Sequence, residues 1–435
     1  MSGATTLILY VIVIIAVIVL SQITKINVGV LGLVGAVILG IFVCGLKMND
    51  VVNFWPINSI FILIFVNMFY GFANTNGTMV KLGQKIIYSI RKWPVLVPFS
   101  MYFIYVIVCG LGAGVDATPM ILGPIAYSLA AQLGFHPIIV AISSALGNSL
   151  GGDFPWTAYG PFWGGIFEPA CPGGFEEGMR YVNGTLIFFF IVSFIVFLLA
   201  CILTKAYKIK PGDVLIREPE PFDPKQKETL IVVLVVLGIL LVPNMLNQCV
   251  SVPAISWIAA NIDVRVLSVF GIVYMILRKL GSIQEVMTKS IPWNVIVLMA
   301  GMTCLTSLAR PLGVIDYLST VLAGLPGGIA LAAVALICGL LSMVTNGVTV
   351  AAMFVPLTTA LAESTSLPVG AFLIAMAASF WTTCVSPIST GGAMAMATAS
   401  NEQKEVLVKS QTIAAFGGLA VLVILCLLRV PVLFA

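Results

Sequence analysis

The sequence predicts an all-α polytopic membrane protein built from two inverted repeats. Each repeat is expected to hold three spans, a re-entrant helical hairpin, a broken helix and a final span. Three observations carry this prediction. The 435-residue chain is 60% hydrophobic and only 9% charged, with a mean hydropathy of +1.12. Soluble chains carry roughly a quarter charged residues, so water is not the solvent for most of this surface. Apolar stretches recur from 5–22 to 411–428, several of them shorter, or more broken by Gly and Pro, than a plain span of about 20 residues. Finally, the chain repeats itself. A shift of 236 pairs Val28 with Val264, Gly35 with Gly271, Pro56 with Pro292, Asn58 with Asn294 and Gly77 with Gly313. A shift of 232 then pairs Pro124 with Pro356, Pro155 with Pro387 and Gly160 with Gly392.

The elements follow in order. The first stretch, Thr5 to Gln22, has neither a basic leader nor a small-residue cleavage site, and another apolar stretch follows at once, so it reads as a span. Stretches 28–45 and 57–73 complete the first three spans. Residues 78–91, introduced by Gly77, read as an amphipathic helix at the membrane interface. Residues 94–131 form the first hairpin, with its tip near Gly114–Thr118, and 138–160 the first broken helix. After the span 185–204 comes a charged, proline-rich segment, 206–228, with Pro211, Pro219, Pro221 and Pro224. It divides repeat 1–205 from repeat 229–435. The second half repeats the order: spans 229–246, 264–277 and 291–309, an interfacial stretch 314–325, a hairpin 328–362 with its tip near Thr345–Thr349, a broken helix 369–392 and a last span 411–428. The total is about ten spans plus two hairpins.

Charge sets the expected orientation. In this topology 16 of the 21 Lys and Arg fall on one side, among them Lys25, Lys81, Lys85, the 206–228 segment, Arg278, Lys279 and Lys289. Cytoplasmic loops carry such an excess. The chain is therefore expected in the cell inner membrane with both termini outside, in the periplasm, and 206–228 as a cytoplasmic linker. A net charge of +4 with no basic patch gives no reason to expect nucleic acid. The nine cysteines form no CxxC pair, and the chain has no GxxxxGK[ST] loop, HExxH or nucleophile elbow. ATP hydrolysis and the common enzyme chemistries are thus without a motif.

Interrupted helices in inverted repeats are the build of secondary transporters, with the site near the midplane. Unwound backbone frees carbonyls for a cation, and helix N-termini present N–H groups to an anion. Four stretches qualify: GAGVDATPM and VTNGVTV at the tips, LGGDFPWTAYGP and TTCVSPISTGG in the broken helices. Asp116 and Asp153 are the carboxylates expected at membrane depth in the first half. Each either ligates Na⁺, carries a proton or caps a helix end. Asn346 is the polar residue of the second tip. His136, the one histidine, reads as a loop residue rather than a proton shuttle. Trp55, Trp93 and Trp163 read as interfacial belt, whereas Trp156 directly follows Pro155 in the break.

At these stretches the chain resembles the ion transporter superfamily, which includes the divalent anion/sodium symporters. Within it, the chain most resembles the MatC-type malonate/dicarboxylate carriers, through KINVGVLGLVGAVILG, FANTNGTMVKL and GPIAYSLAAQLGFHP. The symporters carry Ser-Asn-Thr at each tip and Thr-Pro in each broken helix. Here Thr345–Asn346–Gly347 and Ser386–Pro387 stand in the second half, and Asp116–Ala117–Thr118 in the more divergent first half. The resemblance implies Na⁺-coupled symport of a C3 or C4 dicarboxylate (malonate/succinate class) by an elevator-type motion in a homodimer, with no organic cofactor. It implies Na⁺ near Asp116, Gly151, Gly152 and Asp153, and near Asn346, Thr349 and Thr383. Substrate contacts are expected from Thr118, Pro155, Trp156, Thr157, Thr345, Asn346, Pro387, Ser389 and Thr390. H⁺ coupling or exchange of another organic anion is the alternative; a channel or a subunit of a larger complex are the rivals from other classes. No fixed cation is expected at the centre.

Overall fold

The computed structural model describes residues 3–90, 93–208, 218–249, 252–314, 316–317, 320, 326–343 and 347–435. The described residues contain helices and no strand, as lipid demands of a chain whose backbone groups must pair within each segment. In the first half α1 (Gly3–Thr24) and α2 (Val28–Val37, prolonged by a π segment Ile38–Val43) precede α3 (Met48–Val52), α4 (Ile57–Thr75) and α5 (Thr78–Ser89). Then come α6 (Val97–Val108), α7 (Ala117–Leu133), α8 (Ile138–Ile142), α9 (Asn148–Gly152), α10 (Tyr159–Phe167) and α11 (Gly174–Leu203). The second half runs α12 (Pro224–Cys249), α13 (Pro253–Asn261), α14 (Val264–Leu277), α15 (Ile283–Lys289) and α16 (Trp293–Ser307). It ends with α17 (Gly327–Ser342), α18 (Gly347–Thr365), α19 (Val369–Thr383), α20 (Thr390–Met396) and α21 (Asn401–Leu427).

Among the described residues, five stretches are long and apolar enough to cross a membrane: Gly3–Ser21, Pro94–Ala113, Gly174–Leu203, Pro224–Pro243 and Asn401–Leu427. Two bent pairs, α4 with α5 at 66° and α15 with α16 at 50°, raise the number to seven, and five more apolar helices have 10–17 residues. Their outer faces expose large apolar side chains such as Phe42, Leu203 and Phe270, a surface that suits lipid and not water. This is a multi-pass membrane protein.

The repeat is visible in the contacts. Helix α2 packs on α16 and α4 on α14; α11 packs on α19 and α21 on α8; α10 meets α18 and α20 meets α7. These are reciprocal pairs, as an approximate two-fold axis between the halves requires. The caps repeat as well: Asn27 accepts from Gly29 N at the start of α2, and Asp263 accepts from Arg265 N and Val266 N at the start of α14. The residues 27 and 263 are related by the same 236-residue shift.

The α2–α16 crossing is backbone on backbone. A Cβ on Gly301 would lie 1.7 Å from the Gly29 carbonyl oxygen, and one on Gly29 would lie 2.1 Å from that of Val297. Lipid tails are as apolar as Leu, so helices in a membrane gain by close van der Waals approach, and small residues permit it. The bend between α4 and α5 is made by Gly77 at φ +79°. It is tied down by Asn76, whose amide donates to Thr229 Oγ1 (2.8 Å) and the Leu280 carbonyl (3.1 Å).

Gly301→Ala is expected to force the α2–α16 pair apart and cost roughly 1–3 kcal/mol or more, read as loss of monodisperse protein in detergent. Gly417→Ala, where a Cβ meets nothing within 4 Å, is the control that leaves the profile unchanged.

Candidate functional site

The first hairpin turns where α6 loses its register. A π segment, Cys109–Ala113, ends the helix, and Gly112 at φ +96° and Gly114 at φ +86° reverse the chain before α7. Both torsions belong to the left-handed side that favours glycine. Side chains from other elements bind the carbonyls so freed. Trp156 Nε1 donates to Gly110 O (2.9 Å), Asn148 Nδ2 to Val115 O (2.6 Å) and Asn74 Nδ2 to Gly112 O (3.4 Å). Thr118 Oγ1 closes the turn onto Gly114 O at 2.8 Å. The ring of Tyr70 lies where a Cβ on Gly112 would be, at 2.0 Å, and its hydroxyl donates to Trp156 O (3.3 Å).

The first broken helix carries a second π segment, Ser143–Gly147, between α8 and α9, and unwinds over 153–158 before α10. π segments inside helices are often found at functional positions. Thr157 Oγ1 donates to Phe154 O (2.7 Å) and also to Gly152 O. In the second half the helix breaks over 384–389 between α19 and α20. Ser386 Oγ donates to Met343 O (3.3 Å), tying this break to the second hairpin as Trp156 ties the first. Ser389 caps α20, accepting from Gly392 N (3.1 Å) and donating to Cys384 O (2.6 Å).

Three adjoining cavities run through these breaks. The largest, about 410 Å³, lies between the first tip (Gly112–Ala117), the first break (Gly152, Thr157–Tyr159), α4 (Asn67, Tyr70, Asn74, Thr75) and α15 with its following turn (Glu285, Lys289, Ser290). A second, about 190 Å³, is shared by the two broken helices and is lined by Asp116, Asn148, Ser149, Asp153, Trp163, Trp381, Cys384 and Thr390. The third, about 170 Å³, continues to the second hairpin at Ser342, Gly347 and Val348 and shares Trp163, Trp381, Cys384 and Thr390 with the second.

The two ends of this run differ chemically. At matching positions under the 232-residue shift, the first half has Asp116, Asn148, Ser149 and Asp153 where the second has Val348, Phe380, Trp381 and Val385. Asp153 is buried and accepts from Trp163 Nε1 (3.2 Å), and Trp163 stacks on Phe380 with ring centroids 4.9 Å apart. Asn148 Oδ1, Asn74 Oδ1 and Trp381 Nε1 are buried without a hydrogen-bond partner among the described residues. Buried polar atoms are normally paired, so these three stand out as unsatisfied polar atoms on residues that line the cavities. Asp116, Asp153 and the unpaired Asn148 oxygen offer hard oxygen donors around the second cavity, a set that fits Na⁺ or a proton.

The sequence-predicted residues fall into three groups. Asp116, Gly152, Asp153, Thr157, Ser389 and Thr390 line the cavities. Thr118, Pro155, Trp156, Gly151, Pro387, Thr349 and Thr383 are not among the lining residues. Trp156 and Thr118 hold the tip, Gly151 packs where a Cβ would strike Val106 O at 2.2 Å, and Thr383 is buried with its hydroxyl on Ser379 O (2.9 Å). Thr345 and Asn346 lie outside the described residues. Sequence reasoning missed Asn67, Tyr70 and Asn74, a polar stripe at i, i+3 and i+7 of an otherwise apolar helix. One reading is corrected. Trp163 is not interfacial belt but a buried indole at the centre of the site, while Trp55 and Trp93 are exposed. Lys289 lines the largest cavity at its exposed edge, not at the centre.

His136 lies apart, in the turn before α8, where its Nδ1 accepts from Ile138 N (3.2 Å). Burial lowers its pKa, which leaves it neutral at pH 7.

These features define a class: a multi-pass membrane protein with polar cavities between interrupted helices. Residues 4–152 match the family model for the N-terminus of the dicarboxylate carrier protein MatC, and residues 254–435 match that of the citrate transporter. Both models describe ion transporter, divalent anion symporter-type families, each over less than half of the chain, and they support a secondary transporter. No curated protein matches it. A solved structure described as Neisseria gonorrhoeae MtrF, from work on a class of antimetabolite efflux pumps, shares 15% identity at a TM-score of 0.59, covering 97% of this chain and 94% of that one. At that identity the likeness concerns the fold.

Trp163→Phe removes the donor to Asp153 and is expected to cost about 1–3 kcal/mol, read as a lower melting temperature in detergent. His136→Asn is expected to leave the pH profile of transport unchanged; a displaced profile would restore the shuttle.

Proposed function

We propose that this secondary transporter carries a small C3 or C4 dicarboxylate of the malonate/succinate class, coupled to Na⁺ entering with it, by an elevator-type displacement of the hairpins and broken helices. One observation carries the proposal: the polar cavity of about 410 Å³ between the first hairpin tip and the first break, next to a second cavity lined by two carboxylates, the exposed Asp116 and the buried Asp153. At the start of α7 the Ala117 N–H faces one substrate carboxylate beside that cavity, since Thr118 N–H is taken by Gly114 O and Pro119 has no N–H. Asn74 supplies a further polar contact, and Thr390 contributes from the second half. The family matches to a dicarboxylate carrier and a citrate transporter support the substrate class.

A dianion next to Asp116 and Asp153 needs compensating positive charge. Na⁺ held by Asp116, Asp153 and the Asn148 amide oxygen supplies it. The apolar side chains at the matching positions of the second half, Val348, Phe380 and Val385, favour a single cation site in the first half. The membrane is the cell inner membrane, with the termini outside and the largest cavity, edged by Lys289, open to the cytoplasm; the carrier works as a homodimer.

A second reading is favoured by Asp153 itself. It is buried, receives only an indole N–H, and has no ion pair among the described residues. An uncompensated carboxylate at membrane depth is costly, so a proton on Asp153 serves as well as Na⁺.

Uptake of labelled malonate and succinate into proteoliposomes decides between them. Saturable uptake driven by an inward Na⁺ gradient, and reduced at least about tenfold in Asp116→Asn, is expected. Uptake indifferent to Na⁺ but abolished by a protonophore and by Asp153→Asn would transfer the coupling to H⁺. No uptake of either acid would overturn the substrate assignment.

A further inference from the structure

We infer that Lys289 binds a substrate carboxylate from one face of the membrane only, exchanging it for Glu285. The inference rests on the anion reading above and assigns a specificity-determining residue to it. Lys289 closes α15 and is held by Glu285 one turn back, Nζ to Oε1 at 2.7 Å. The pair is open to solvent, with side-chain exposures of 68% and 41%. Such pairs are weak and readily change partner.

Its position is set by packing. Ser290, the next residue, lies against α4, where a Cβ on Gly71 would meet Ser290 Cβ at 2.6 Å. That contact seats the end of α15 beside Tyr70 and Asn74, across the largest cavity from Asp116, Thr157 and Tyr159. Among the residues lining the three cavities, Lys289 is the only Lys or Arg, against the carboxylates Asp116, Asp153 and Glu285. A carboxylate arriving in this cavity meets one cation already neutralised by a loosely held partner. Swapping Glu285 for the substrate conserves the charge pairing and releases Glu285 to water. Lys289 stands in the same inter-helix region as Arg278 and Lys279, between α14 and α16, so it serves the opening on that face and is remote from the opposite one.

Sidedness is therefore the test. Initial rates of labelled succinate uptake are measured in right-side-out and in inverted membrane vesicles, for wild type, Lys289→Gln, Lys289→Arg and Glu285→Gln. Lys289→Gln is expected to raise KM about fivefold on one face only, with kcat within about twofold and a weaker dependence of KM on ionic strength. Lys289→Arg restores the wild-type KM, and Glu285→Gln lowers it on the same face. An equal change on both faces, or none, overturns the inference while leaving the substrate reading intact. A wild type that transports neither malonate nor succinate overturns the substrate reading, and this inference with it.

Discussion

Backbone N–H and C=O groups freed at membrane depth must be satisfied inside the protein, and the rest of this structure follows from meeting that requirement at the first tip and the broken helices. The first tip is held by Trp156 on Gly110 O, Asn148 on Val115 O, Asn74 on Gly112 O and Thr118 on Gly114 O. The second break is held by Ser386 on Met343 O and Ser389 on Cys384 O. Each bond except those of Thr118 and Ser389 joins two different elements. Hairpin and broken helix are thereby fastened to each other within each half, and the space left between them is the polar cavity system. The same bonds that make interrupted helices tolerable in lipid also place the donors around a ligand.

The halves share a scaffold plan but divide the chemistry. The two-fold relation is kept where helices pack, as in the reciprocal α2–α16 and α4–α14 contacts and the paired caps Asn27 and Asp263. It is abandoned at the site, where Asp116, Asn148 and Asp153 correspond by the 232-residue shift to Val348, Phe380 and Val385. The aromatic wall of Trp163, Phe380 and Trp381 fills the second side. Tyr127, which donates to Ala395 O (2.6 Å), and Gln403, which donates to Tyr127 O (3.1 Å), bind the two halves into one body around the site.

Much of the fold was legible in the sequence because membrane folds are written in coarse features. Hydropathy marked the helices, and Gly and Pro at constant offsets marked both the repeat and its breaks at Asp153–Pro155 and Ser386–Pro387. The site was legible where unusual residues coincide with a break, as at Asp116, Asp153, Thr157 and Thr390. It was illegible where packing decides. Trp163 reads from the sequence as interfacial belt, and only the fold turns its indole onto Asp153. Lys289 looked like one more loop cation because nothing local reveals that Ser290 seats it on α4. Asn67, Tyr70 and Asn74 were findable in principle, since a polar stripe at helical spacing within an apolar span marks a face turned from lipid. Thr118 and Trp156 have the residue types of ligand contacts, but their donor groups are used up in holding the tip.

The central claim is that the space between the first tip and the first break receives the transported anion. Its most direct test is protection of Val115→Cys, in a background with Cys109 and Cys384 replaced by Ser, from a membrane-impermeant thiol reagent. Val115 lines both of the two larger cavities. The account predicts that succinate with Na⁺ slows labelling at this position and not at an exposed cysteine introduced at Ile388. Labelling at Val115→Cys that proceeds at the same rate with saturating succinate or malonate as without would contradict it.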